Sequence, residues 1–113
     1  MNNLKYFRTL TDLEPKELSA LLGVSVYTYR AYETDRMIMD EIIIKLICKL
    51  FNVEKEELFI EKDKLRQETI NKLIYYTNFN KKEKIKLLVF NLSGKYCEKI
   101  SFAELSKIRS NLW

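Results

Sequence analysis

With one proline and two glycines in 113 residues, this chain has little with which to turn corners. Folds made of many short strands need turn residues at each reversal, whereas helices with short connections do not. The breakers also fall at informative places. Pro15 suits the first position of a helix, where its fixed φ is already helical and its missing N–H has no partner to lose. Gly23 stands where that helix would end, a position that takes a left-handed residue. Ser25 can then cap a second helix by accepting a backbone N–H. The spacing predicts helices over 15–22 and from Val26 to about Glu33, joined by Gly23-Val24-Ser25. Two short helices so joined form a helix-turn-helix.

The flanking segments extend the pattern. Asn3 can cap a first helix with Leu4, Phe7 and Leu10 inward. Asp40 can cap another running to Leu50 or Phe51, and Asn52 can take the left-handed position after it. A short helix over Lys55 to Phe59 follows. Leu65, Ile70, Leu73, Ile74 and Thr77 predict a helix over 62–77. Asn80 and Glu83 have capping-box spacing, ahead of Ile85, Leu88, Val89 and Leu92 and before Gly94. Ser101 and Glu104 repeat that spacing ahead of Leu105, Ile108 and Leu112. The expected fold is all-α, with one domain over 1–60 and about three helices over 61–113. No repeat or Gly/Ser linker separates the halves, which should pack together.

Chemistry is narrowed by what is missing. Without histidine, and with only Cys48 and Cys97, the chain has no Cys/His metal site and no histidine base. Nor does it space a nucleophile beside a base, so neither an enzyme nor a cofactor is expected. Two distant cysteines suit free thiols in a reducing cytoplasm. No long apolar run follows the N-terminus, so no signal peptide is expected. The apolar run 42–48 is too short for a membrane span and contains Lys45. The net charge is +4, but unevenly placed: residues 1–60 hold eight Lys/Arg against ten Asp/Glu, and residues 61–113 hold twelve against six.

The run Leu18-Ser19-Ala20-Leu21-Leu22-Gly23-Val24-Ser25, then Tyr32-Glu33, Leu50-Phe51-Asn52-Val53 and Glu57-Leu58, resembles the Cro/C1-type (XRE) helix-turn-helix family over about residues 4–60. The resemblance implies a five-helix, lambda-repressor-like domain. It implies a structural salt bridge between Arg8 and Glu33, and packing of the motif helices through Ala20, Leu22, Val24 and Tyr29. It makes the helix after Ser25 a recognition helix lying in the DNA major groove. Ser25, Val26, Tyr27, Thr28, Arg30 and Ala31 are then its DNA-binding positions, joined by Thr34 and Arg36. Several depart from the usual pattern. Val26, Tyr27 and Ala31 lack the paired hydrogen bonds that tell bases apart, although Val26 could touch a thymine methyl. Pro15 replaces a glutamine that often holds a phosphate, and the loop over 34–39 carries only one basic residue.

The resemblance, with the basic second half, implies a sequence-specific, double-stranded DNA-binding transcriptional regulator, a repressor working as a dimer, with residues 61–113 serving dimerisation or partner binding. Lys16, Lys81, Lys82, Lys84 and Lys86 are candidates for phosphate contacts. The alternative is a helix-turn-helix used as a protein-binding module, its partner met by Met37, Ile38, Met39, Ile42 and Ile43. Tyr29 and Tyr32 are expected in the core and Tyr27 outside it. Tyr75, Tyr76 and Trp113 could anchor a dimer or pack within the monomer.

Overall fold

Turn chemistry sets the helix ends in the computed structural model, which describes residues 1–93. Helix α1 is Leu4–Leu10, α2 Pro15–Leu22, α3 Val26–Glu33, α4 Glu41–Phe51 and α5 Lys55–Phe59. After them come α6, Gln67–Ile74, and α7, Lys81–Ser93. No strand occurs among the described residues, and no helix among them is long and apolar enough to cross a membrane. The protein is all-α, as its composition predicts.

Gly23 closes α2 with φ +73°, a left-handed value that a side chain disfavours. The Thr28 N–H donates to Ser25 Oγ at 3.0 Å, the Ile43 N–H to Asp40 Oδ1 at 2.9 Å and the Glu83 N–H to Asn80 Oδ1 at 2.9 Å. Asn52 ends α4 with φ +54°. Two further capping boxes, Glu14 with Glu17 and Glu54 with Glu57, open α2 and α5.

Two expected elements differ. Asn3 stands at the start of α1, but its side chain does not cap that helix. Its Nδ2 crosses to α5 and donates to the carbonyls of Glu57 and Ile60 at 2.8 and 2.9 Å. Asn2 accepts the Leu4 N–H in its place. The helix expected over 62–77 is broken into a 3₁₀ turn at Lys62–Lys64, then α6, then a 3₁₀ turn at Tyr75–Asn78. The backbone leaves the helical region at Leu65 and Arg66. That detour buries Leu65 and turns Arg66 and Thr69 toward Glu57. Ile74 and Thr77, two members of the pattern that predicted the helix, are exposed, and Thr77 Oγ1 donates back to the Ile74 carbonyl. Gly94, Cys97, the Ser101–Glu104 box, the apolar series over 105–112 and Trp113 lie outside the described residues.

The halves share one core. Phe7 meets Phe51 edge-on at 5.9 Å, and both are fully buried with Leu4, Leu18 and Tyr29. Helix α7 packs on α4 through Ile85, Leu88 and Val89, and α6 packs on α1. Tyr76 is buried, with its hydroxyl accepting from Asn91, while Tyr75 stays exposed. Cys48 is a half-buried free thiol whose pKa is pushed up by burial and by nearby Glu54.

Charge also crosses between the halves. Glu17 gives one carboxylate oxygen to the Glu14 N–H, at 2.8 Å, and the other to Lys81 Nζ, at 3.0 Å. Glu57 does the same: one oxygen takes the Glu54 N–H at 3.1 Å and Arg66 at 3.3 Å, while Thr69 Oγ1 donates to the other. Both carboxylates are buried.

Truncating Leu88 to Ala should therefore cost about 2–5 kcal/mol in urea unfolding, the range for emptying a buried leucine site. Acid should destabilise the fold through Glu57. Burial opposes its charge, but Thr69, the Glu54 N–H and Arg66 outweigh that and hold its pKa below the ordinary carboxylate value. Its contribution is thus complete above the unfolded carboxylate range and is lost as pH falls through its lowered pKa. Glu57→Gln should flatten that part of the stability–pH curve.

Candidate nucleic-acid interface

The orientation of α3 follows from what it buries. Tyr29, Ala31 and Tyr32 face the core. At about 100° per residue, Val26, Arg30 and Thr34 then lie in one row outward, with Tyr27 beside it. All four are exposed, Tyr27 at 71%. Ser25 is exposed at the cap, and Thr28 is half-exposed at the edge.

This helix is pinned at its C-terminal end. Arg8 Nε of α1 donates to Glu33 Oε2 at 2.7 Å, and its Nη1 donates to the Leu13 carbonyl at 2.9 Å. The Tyr29 hydroxyl donates to the same Glu33 oxygen at 2.5 Å. Burial disfavours the Arg8 charge, but the bond to Glu33 and the attraction behind it prevail and raise its pKa. Burial, followed by the Glu33 bond, pushes the Tyr29 phenol far up, so it stays protonated and keeps donating. Asn2 adds a second tie, donating to the Tyr32 carbonyl at 2.9 Å and to Asp35 at 3.1 Å.

The loop after α3 returns to the outward face. Asp35 takes φ +60°, and Arg36 comes back over Tyr27 with its guanidinium carbon 5.7 Å from the ring centre. Arg36 Nε donates to Thr34 Oγ1 at 3.0 Å. Among the described residues, neither Arg30 nor Arg36 pairs with a carboxylate. The face is therefore locally cationic although residues 1–60 are acidic overall. Sequence spacing could not show the Arg36–Tyr27 stack, because it depends on the left-handed turn at Asp35, an aspartate rather than a glycine.

Other candidate positions are corrected. Ala31 is 3% exposed and cannot meet DNA, since it lies on the core side of α3. Lys84 is 5% exposed, and its Nζ donates to the Asp12 carbonyl at 3.0 Å, so it secures α7 instead of reaching a phosphate. Lys81 pairs with Glu17, whose hydrogen bond raises the Lys81 pKa. Lys16, Lys82 and Lys86 are exposed. The apolar set 37–43 also divides. Met39 and Ile43 are in the core, because the turn into α4 points them inward. Met37, Ile38 at 92% and Ile42 at 70% remain outside, with Met1 and Phe59 also exposed. Sequence reasoning missed Met1 and Phe59, since only the fold brings both termini of the domain beside Met37 and Ile38.

No family model matches this sequence, and no solved structure does. An uncharacterized HTH-type transcriptional regulator of Methanocaldococcus jannaschii is 37% identical to it over 62 residues, which span 55% of this chain and 94% of that protein.

Because the Arg8–Glu33 pair at the end of α3 is largely buried, Arg8→Ala should destabilise the fold by about 3–5 kcal/mol, as expected when one partner of a buried pair is left behind. Tyr29→Phe should cost about 1 kcal/mol, the worth of one hydrogen bond. Chemical denaturation of the two variants checks both values and their order.

Proposed function

This chain belongs to the HTH-type transcriptional regulators, and from that membership we propose that it is a sequence-specific, double-stranded DNA-binding repressor of the Cro/C1 type, working as a homodimer in the cytoplasm. The observation that carries the proposal is the outward face of α3: two arginines without carboxylate partners among the described residues, set around an exposed helix start. In this reading α3 lies in the major groove with Ser25, Val26, Tyr27 and Thr28 nearest the bases. Arg30 supplies the long donor. Arg36, Lys16, Lys82 and Lys86 supply phosphate contacts, which set affinity more than sequence preference. Half-sites one helical turn apart need two copies of α3 about 34 Å apart. In this reading residues 61–113 hold the second copy.

The exposure of Ile38 and Ile42 favours a second reading, in which their patch holds a different protein and DNA is not bound. The two separate experimentally. A duplex enriched from a random pool by the full chain should lose affinity roughly 5–150-fold on Arg30→Ala. Tyr27→Ala should also weaken it. Lys82→Ala and Lys86→Ala should weaken all sequences alike and shallow the salt dependence. Light scattering at micromolar concentration should show a dimer, and a strict monomer would count against this assembly. Absence of duplex binding at low salt selects the second reading.

A further inference from the structure

The outward arc of α3 carries Val26, Tyr27, Arg30 and Thr34, with no amide and no carboxylate among them. That composition restricts what it can distinguish. Adenine is read in pairs of hydrogen bonds by Asn or Gln, and the cytosine amino group by Asp or Glu. Neither mode exists on this arc. Guanine remains open to Arg30. The hydroxyls of Tyr27 and Thr34 can bond several base edges without telling them apart, so the distinctive group left to an apolar contact is the thymine C5-methyl.

Val26 is placed for that contact. It is the first residue of α3, at the end of a recognition helix that meets base edges, and its side chain is exposed. Next to it the Tyr27 ring is covered on one face by Arg36, whose Nε is already held by Thr34. Two interactions thus order the Tyr27–Arg36 stack before any ligand arrives, which reduces the entropy lost on binding. The result is an apolar point flanked by a fixed aromatic–cation pair. We propose that this regulator discriminates its half-sites through a thymine C5-methyl seated against Val26, with the Tyr27–Arg36 stack as the preordered wall beside it. The proposal rests on the DNA reading above and names what that site selects.

Replacing thymine by deoxyuridine removes the methyl and leaves pairing intact. In the duplex enriched by the full chain, each thymine is replaced in turn and binding is measured. The expected result is one position per half-site where uracil weakens binding about fourfold, the worth of burying one methyl. Val26→Ala should weaken binding to the thymine duplex and abolish the thymine–uracil difference at that position, while Val26→Ile should retain it, which separates lost contact from lost folding. A bound duplex in which every uracil replacement is neutral would overturn the proposal, as would a difference that survives Val26→Ala. If no duplex is bound at low salt, the DNA reading itself fails and this inference falls with it.

Discussion

The placement of the outward face of α3 depends on the pairing of Arg8 with Glu33. A helix of eight residues is too short to hold itself in water, so its direction must come from tertiary contacts. Tyr29, Ala31 and Tyr32 supply the apolar part of that anchoring. They do not alone determine how α3 sits about its axis. The guanidinium of α1, the Glu33 carboxylate and the Tyr29 hydroxyl meet at one oxygen and add directional bonds from a second helix. The outward row of Val26, Arg30 and Thr34 follows from that orientation. Packing and polar bonding thus converge on Tyr29, whose ring is buried while its hydroxyl joins the bond to Glu33.

The second constraint is the dependence of the first five helices on α6 and α7. Glu17 and Glu57 occupy equivalent places: each closes the start of a short helix with one oxygen and is held from beyond residue 60 through the carboxylate. This explains part of the uneven charge along the chain. Acidic excess over 1–60 includes two buried carboxylates whose cations, Arg66 and Lys81, come from the basic half. Lys84 joins the same seam by bonding the Asp12 carbonyl. Much of what reads in sequence as a lysine cluster is therefore internal bonding. Lys82 and Lys86, both exposed, are one helical turn apart on α7.

Elements governed by local chemistry were legible. Pro15, Gly23, Ser25, Asp40 and Asn52 act within a few residues of themselves, and their effects on helix ends follow from sequence alone. Elements governed by distant partners were not. Asn3 has a capping residue's chemistry, yet α5 offers its amide two carbonyls that no local pattern announces. The apolar period over 62–77 reads as one helix because periodicity does not register the buried Glu57, which draws Arg66 and Thr69 to itself. Lys84 and Ala31 were misplaced for the same reason: the side of a helix that faces inward is decided by what packs there. At the site, the outward exposure of Val26, Tyr27 and Arg30 was within reach of helical spacing. The position of Arg36 over Tyr27 was not.

The outward face of α3, with the loop after it, carries two arginines on a domain with acidic excess. In the proposed reading, affinity comes from few charges well placed rather than from a broad basic field. Specificity in that reading comes from Arg30 and the methyl contact at Val26. The most direct test is the binding of the full chain to duplex DNA across a salt series. The account predicts saturable binding at low salt that weakens as salt rises, in the log–log manner of released counterions, and that Arg30→Ala diminishes. Failure to bind any duplex at low salt, or binding indifferent to Arg30, would contradict it.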